Sequence, residues 1–189
     1  AYGDRTILEE QWESMKAWVD YVISQSPGYL WNTGWHYGDW LFYSVNNDNA
    51  GNSAVTYTPL VQQCFFANSA TIMSKAAEVL GKEKDAAYYA DVARKVKEAF
   101  CENYLTPAGM LVSSTQTAYV LALNFDMLPE NMRSKAAAHL AANVEKYGHI
   151  TTGFLGTPYI CHVLTEFGYN DLAYKLLLRE QYPGWLYPV

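Results

Sequence analysis

Residues 58–103 read TPLVQQCFFANSATIMSKAAEVLGKEKDAAYYADVARKVKEAFCEN, and this stretch decides the fold. Pro59 suits the first turn of a helix from about Thr58 to Leu80, and Gly81 ends it. A second helix from about Lys84 to Asn103 carries Tyr88, Val92, Val96 and Phe100 at spacing four, one apolar stripe on an otherwise charged surface. Only Gly81-Lys82-Glu83 separates the two, so they must fold back on each other as an antiparallel helical hairpin.

The same pattern extends in both directions. Upstream, Asp4 can cap a helix from about Arg5 to Ser26, with Ile7, Leu8, Trp12, Met15, Val19, Val22 and Ile23 on one face and Pro27-Gly28 as its stop. Downstream, Pro107-Ala108-Gly109 marks a turn, and Ser114 or Thr115 caps a helix through Leu123 or Phe125. Pro129-Glu130 opens a helix that ends near Gly148. Thr157-Pro158 starts another through Phe167, and Asp171 caps a last one through Gln181. No segment alternates as a strand, and the predicted class is all-α, a series of helical hairpins.

A weak repeat supports this organisation. Gly3-Asp4, Gly81 with Asp85-Ala86-Ala87-Tyr88, and Gly168 with Asp171-Leu172-Ala173-Tyr174 recur at offsets of 78 and 87 residues, the length of two hairpins each. Stacked hairpins build an open solenoid or a closed α/α toroid. One set of connections is short, whereas the alternate set, residues 28–57, 104–117 and 147–157, is long and aromatic. In a toroid the long set gathers at one mouth and forms a pocket.

Composition bounds the function. The 189 residues are 50% hydrophobic and 17% charged, with 13 basic against 19 acidic residues. A net charge of -6 without a Lys/Arg cluster excludes duplex nucleic acid as a partner, because that binding rests on phosphate neutralisation. Cys64, Cys101 and Cys161 are far apart and lie in apolar helical patterns, which predicts buried free thiols. His139, His149 and His162 offer no metal-ligand spacing, and no cofactor motif is present. The polar stretch from Ser44 to Ser53 holds an Asn/Asp run ending in Gly51. Tyr57 stands where a calcium loop needs its bidentate Glu, so that site is rejected. No apolar run is long enough to span a membrane, and the acidic amphipathic N-terminus lacks a signal-peptide pattern.

The long loops carry the chemistry. Gly34-Trp35-His36-Tyr37-Gly38-Asp39-Trp40 sets three aromatic rings, a histidine and a carboxylate between glycines. Aromatic faces cover the C–H patches of a pyranose while a fixed carboxylate accepts its hydroxyls, so this composition suits a sugar-binding wall. The structural alternative makes Trp35 and Trp40 core anchors and Asp39 a helix cap. Two further loops match it in character: Ser114-Thr115-Gln116-Thr117-Ala118-Tyr119 at a helix start, and His149 to Pro158 with Phe154 framed by Gly153 and Gly156.

In chain order, Gly3-Asp4-Arg5-Thr6-Ile7-Leu8-Glu9-Glu10, Met15-Lys16-Ala17-Trp18-Val19-Asp20-Tyr21, Gly38-Asp39-Trp40, Thr115-Gln116-Thr117-Ala118-Tyr119, Thr151-Thr152-Gly153-Phe154-Leu155-Gly156-Thr157-Pro158, Leu172-Ala173-Tyr174 and Tyr182-Pro183-Gly184-Trp185-Leu186-Tyr187 together resemble the catalytic domain of bacterial α-L-rhamnosidases. The resemblance spans essentially all of the chain. It implies part of an (α/α)6 toroid, residues 1–189 as a single partial domain of about four of the six hairpins, and inverting hydrolysis of L-rhamnose-containing glycosides or oligosaccharides. In that family an Arg-Asp-Glu segment supplies the general acid and a Trp-Glu-Arg-Trp segment the general base. Neither segment occurs here, so the resemblance implies an internal portion flanked by both, inactive when isolated.

The same resemblance implies that Trp40 walls the rhamnose and that Asp39 caps its helix or orients a neighbouring side chain. It adds Trp35, Gln116, Phe154 and Trp185 as further pocket candidates. No residue is assigned as catalytic; Asp39 is the one carboxylate placed to serve as an acid if its pKa were raised. Two other classes stay open. One is a noncatalytic helical-repeat interaction domain. The other is a different α/α-toroid glycosidase or a polysaccharide lyase drawing on His36 and Tyr37. Exposed helical flanks predict self-association, and the compartment, bacterial cytoplasm or beyond it, stays open.

Overall fold

The computed structural model describes residues 3–44 and 54–189. The rejected calcium loop, residues 45–53, lies outside the described residues. Seven α-helices and one short 3-10 helix (Pro27–Tyr29) make up the regular structure there: α1 (Thr6–Ser24), α2 (Thr58–Val79), α3 (Glu83–Tyr104), α4 (Gln116–Asn124), α5 (Glu130–Tyr147), α6 (Ile160–Glu166) and α7 (Asn170–Leu177). Helices α2 and α3, α4 and α5, and α6 and α7 pair as hairpins, while α2, α4 and α6 lie side by side and α1 packs on α2. Among the described residues three hairpins follow one helix.

Local signals set most of the boundaries. Asp4 Oδ1 accepts the Thr6 amide at 2.9 Å, satisfying one of the orphan N–H groups at the start of α1. Thr115 Oγ1 accepts the Ala118 N–H at 3.2 Å and starts α4, and Gly148 closes α5 in the left-handed conformation. The three repeat glycines, Gly3, Gly81 and Gly168, all have positive φ and stand just ahead of α1, α3 and α7. The repeat is therefore a recurring entry into one helix layer.

Two boundaries move from expectation. Thr157-Pro158 does not start a regular helix: residues 154–159 form successive turns, and α6 begins at Ile160. The last helix stops at Leu177 instead of Gln181. Beyond it the chain turns back, with Leu186 N–H donating to Arg179 O at 3.3 Å, and Asp171 lies within the first turn of α7 rather than at its cap.

The core follows the α2, α4, α6 layer. Residues Gln116 to Leu123 of α4 are all buried, so this helix is enclosed on every side. Phe66, Phe100, Tyr119, Leu121, Leu140, Ile160 and Leu164 fill the main cluster. A second cluster of Trp12, Val19, Met73, Ala77 and Tyr89 seats α1 across the first hairpin. There the periodic stripe is corrected: Tyr88 is exposed, and Tyr89 is the buried ring. Tyr89 Oη donates to Asp20 Oδ1 at 2.7 Å and accepts from Lys16 Nζ at 3.1 Å, and burial pushes its phenol up to about 12. Of the three free thiols only Cys64 is buried, which drives its ionisation well above the ordinary range; Cys101 and Cys161 are half-exposed.

No described helix is long and apolar enough to cross a membrane. Both flanks of the stack carry exposed apolar side chains, Ile7, Trp18 and Tyr21 on α1 and Tyr174, Leu177 and Leu178 at α7. Truncating the fully buried Phe100 to Ala should cost about 3–5 kcal/mol, whereas Tyr88→Ala should stay within about 0.5 kcal/mol. Urea denaturation of the two variants checks the assignment, and equal costs would contradict it.

Candidate functional site

The three long connections meet at one end of the stack, and Asp39 is where they join. Its side chain is 3% exposed, and no described cation lies within ion-pairing distance. Oδ2 accepts the Gly153 N–H at 2.8 Å and the Thr117 hydroxyl, and Oδ1 accepts the Leu155 N–H at 3.0 Å. Thr117 belongs to the first turn of α4, whose N-terminal dipole also favours a carboxylate nearby. Asp39 thus caps no helix of its own. It ties residues 37–43 and 149–157 to the start of α4.

Backbone bonds extend this junction. Phe154 N–H donates to Trp40 O at 2.9 Å, and Tyr43 N–H donates to Thr151 O at 3.1 Å. Gln116 is fully buried; its Nε2 donates to His149 O at 3.1 Å and its Oε1 accepts the Thr151 N–H at 2.9 Å. Thr56 and Thr115 share a hydroxyl hydrogen bond of 2.7 Å, and Tyr57 N–H donates to Ser113 Oγ at 2.8 Å. Gly153 allows the close approach: a Cβ there would collide with Trp40 O, Asp39 Oδ1 and Phe42 N.

Above the junction the aromatic rings face solvent. Trp35, Tyr37, Trp40 and Phe154 are 77%, 68%, 56% and 61% exposed. They nonetheless touch in sequence: Trp35 on Tyr37 edge to face at 4.2 Å, Tyr37 stacked on Trp40 at 5.5 Å, and Trp40 against Phe154 at 6.3 Å. Trp35 and Trp40 are therefore not core anchors. An open cleft of about 390 Å³ runs along Trp35, His36, Tyr37, Gly38, Phe65 and Leu155. A comparable hollow of about 330 Å³ between α6 and α7, lined by Cys161, His162 and Tyr174 among others, has no such row.

The six residues singled out from sequence thus separate into three groups. Trp35, Trp40 and Phe154 come together in the row, with Tyr37 as an added member. Asp39 and Gln116 lie beneath it, their polar atoms committed to protein partners. Trp185 is half-buried against the main core and makes no ring contact with the row. Both Asp39 oxygens are taken up by protein donors, the Thr117 hydroxyl and the Gly153 and Leu155 amides. Thr117, which completes the junction, stood in a motif singled out from sequence but was not named there as a site residue.

This arrangement, an all-helical hairpin stack with aromatic loops gathered at one end, is that of an α/α-hairpin domain. The chain belongs to the bacterial α-L-rhamnosidases: all of residues 1–189 match the family profile described as bacterial alpha-L-rhamnosidase 6 hairpin glycosidase domain. It is 38% identical to an alpha-L-rhamnosidase of Streptomyces avermitilis over 190 residues, covering 100% of this chain and 17% of that protein. It is 40% identical to one of Formosa agariphila over 191 residues, covering 99% of this chain and 20% of that protein. The crystal structure of the Streptomyces avermitilis alpha-L-rhamnosidase complexed with L-rhamnose superposes with a TM-score of 0.89 at 39% identity, over 100% of this chain and 17% of that one. The native enzyme of Aspergillus terreus gives 0.89 at 29% identity, over 99% of this chain and 22% of that one. The helices described above are accordingly part of an (α/α)6 toroid, and the chain spans about a fifth of the length of these relatives.

His36 gives this end a pH dependence. Its Nδ1 accepts the Gly38 N–H at 2.8 Å, and burial pushes the ring below its ordinary range. The folded chain then binds fewer protons than the unfolded one, so the ring's contribution to stability is complete above about 6.5 and is lost as pH falls through the lower folded value. An NMR titration should place His36 below about 6.5, with tryptophan emission changing as the ring protonates. A ring titrating at or above that value would contradict the assignment.

Proposed function

We propose that this chain supplies one wall of the sugar pocket of an α-L-rhamnosidase catalytic domain, acting on L-rhamnose-containing glycosides or oligosaccharides. The observation that carries the proposal is the solvent-facing row of Trp35, Tyr37, Trp40 and Phe154, whose first two members line an open cleft. Aromatic rings held in water this way lose little on covering a pyranose and gain its C–H surface. The relative crystallised with L-rhamnose supports the choice of sugar. Family membership favours this reading over an interaction domain or a lyase.

Inverting hydrolysis, the mechanism the family resemblance implies, needs two carboxyl groups about 6.5–9.5 Å apart across the scissile bond. Among the described residues Asp39 is the one buried carboxylate, and its oxygens are already engaged. We assign the acid and base to polypeptide outside these 189 residues. Within them, Gln116 holds residues 149–151 in place, and Asp39 supports the wall from below.

In the full protein carrying this chain, Trp40→Ala should raise KM for an aryl α-L-rhamnoside about tenfold, the equivalent of about 1.4 kcal/mol. Tyr174→Ala, on the far flank, should leave it unchanged. Absence of rhamnose release by the unaltered protein would refute the proposal. The isolated 189-residue chain should associate through the apolar flanks at α1 and α7 and release no rhamnose. Sedimentation as a compact monomer with aryl-rhamnosidase activity would overturn that expectation.

A further inference from the structure

We propose that Asp39 is a positioning residue that fixes the spacing of the aromatic wall, an inference that rests on the sugar-pocket reading above. The two N–H groups it accepts belong to Gly153 and Leu155, the residues on either side of Phe154. Between them, the Phe154 N–H is taken by the carbonyl of Trp40, the residue next to Asp39 in the chain. Three consecutive amides of one loop are thereby anchored to two consecutive residues of another. The two rings that project from this junction, Trp40 and Phe154, are held 6.3 Å apart at 64°.

The junction is built to resist movement. Leu41, directly after Trp40, sits at a φ of 59°, a left-handed conformation that costs a branched residue energy and persists only where its surroundings over-determine it. The missing space for a Cβ at Gly153 and the hydroxyl of Thr117 close the remaining sides of the carboxylate. A buried anion without a cation stays buried only while its hydrogen bonds are intact, so the loop pair has one low-energy arrangement. Asp39 therefore acts on the sugar through Phe154 and Trp40, without touching it.

The consequence is a specific kinetic signature. Loosening the ring spacing removes contacts made equally in the ground and transition states, which raises KM and spares kcat. A residue needed only for stability does the reverse, lowering apparent kcat by depleting folded enzyme while KM holds.

The test is Asp39→Asn in the full protein carrying this chain, with an aryl α-L-rhamnoside as substrate. The asparagine presents one acceptor oxygen and turns an NH2 group toward an amide donor. KM should rise about tenfold with kcat within about twofold, and the Gly153 and Leu155 amides should exchange faster with deuterium in the absence of sugar. Should Asp39→Asn fail to fold, Thr117→Val removes a single donor and should shift KM and exchange in the same direction, with Thr117→Ser restoring both. Unchanged KM and unchanged exchange in these variants would overturn the inference while leaving the sugar pocket standing. If the unaltered protein releases no rhamnose, the pocket reading fails, and exchange at Gly153 and Leu155 alone then decides whether Asp39 positions the loops.

Discussion

A carboxylate taken out of water must be answered locally, and at Asp39 the answer comes from two backbone amides and one hydroxyl on segments remote in the chain. Each hydrogen bond to such a charged group is worth about 1.5–3 kcal/mol, and none survives if a contributing segment moves away. Charge satisfaction here is therefore also loop assembly. The helices supply a rigid base, because α4 is enclosed along nearly its whole length, and the buried anion ties the connections above it to that base. The exposed rings of Trp40 and Phe154 stand on backbones already joined to each other, Phe154 N–H to Trp40 O.

The two ends of the helical stack are physically unlike. At one end, long connections hold glycines, threonines and aromatic side chains in a network of backbone and side-chain hydrogen bonds. At the other, short turns carry charged side chains, and Arg133 joins Asp126 to Glu166 across neighbouring hairpins. A hairpin architecture produces this polarity directly: antiparallel helices send alternate connections to opposite ends. One set is then free to elaborate a site while the other stays minimal.

The helical frame was largely legible from residue patterns because its signals are local. Pro59, Gly81, Thr115, Pro129-Glu130 and Gly148 act within a few residues of the boundaries they set, and the observed helices begin and end close to them. The errors came where distant or lateral partners decide. Spacing four selects Tyr88, but Lys16 and Asp20 of another helix select Tyr89. At the site, composition marked Trp35, Trp40 and Phe154 as candidates for a binding wall, and all three rings are exposed. The duty of Asp39 was hidden, since its partners stand 78, 114 and 116 residues away and two of them are amides that every residue possesses. Gln116 was hidden for the same reason.

The polarity of the stack also defines a handle. Gly81-Lys82 and Gly168-Tyr169 are turn positions between helices, both residues of the first pair exposed, and they lie at the end away from the aromatic rings. Exposed turns of this kind tolerate inserted or appended chain better than any helical position. A lysine-directed linker or an inserted tag at Gly81-Lys82 would fix the domain to a surface with its ring-bearing face turned outward. The architecture thus separates the place where the molecule can be held from the end that presents its aromatic rings.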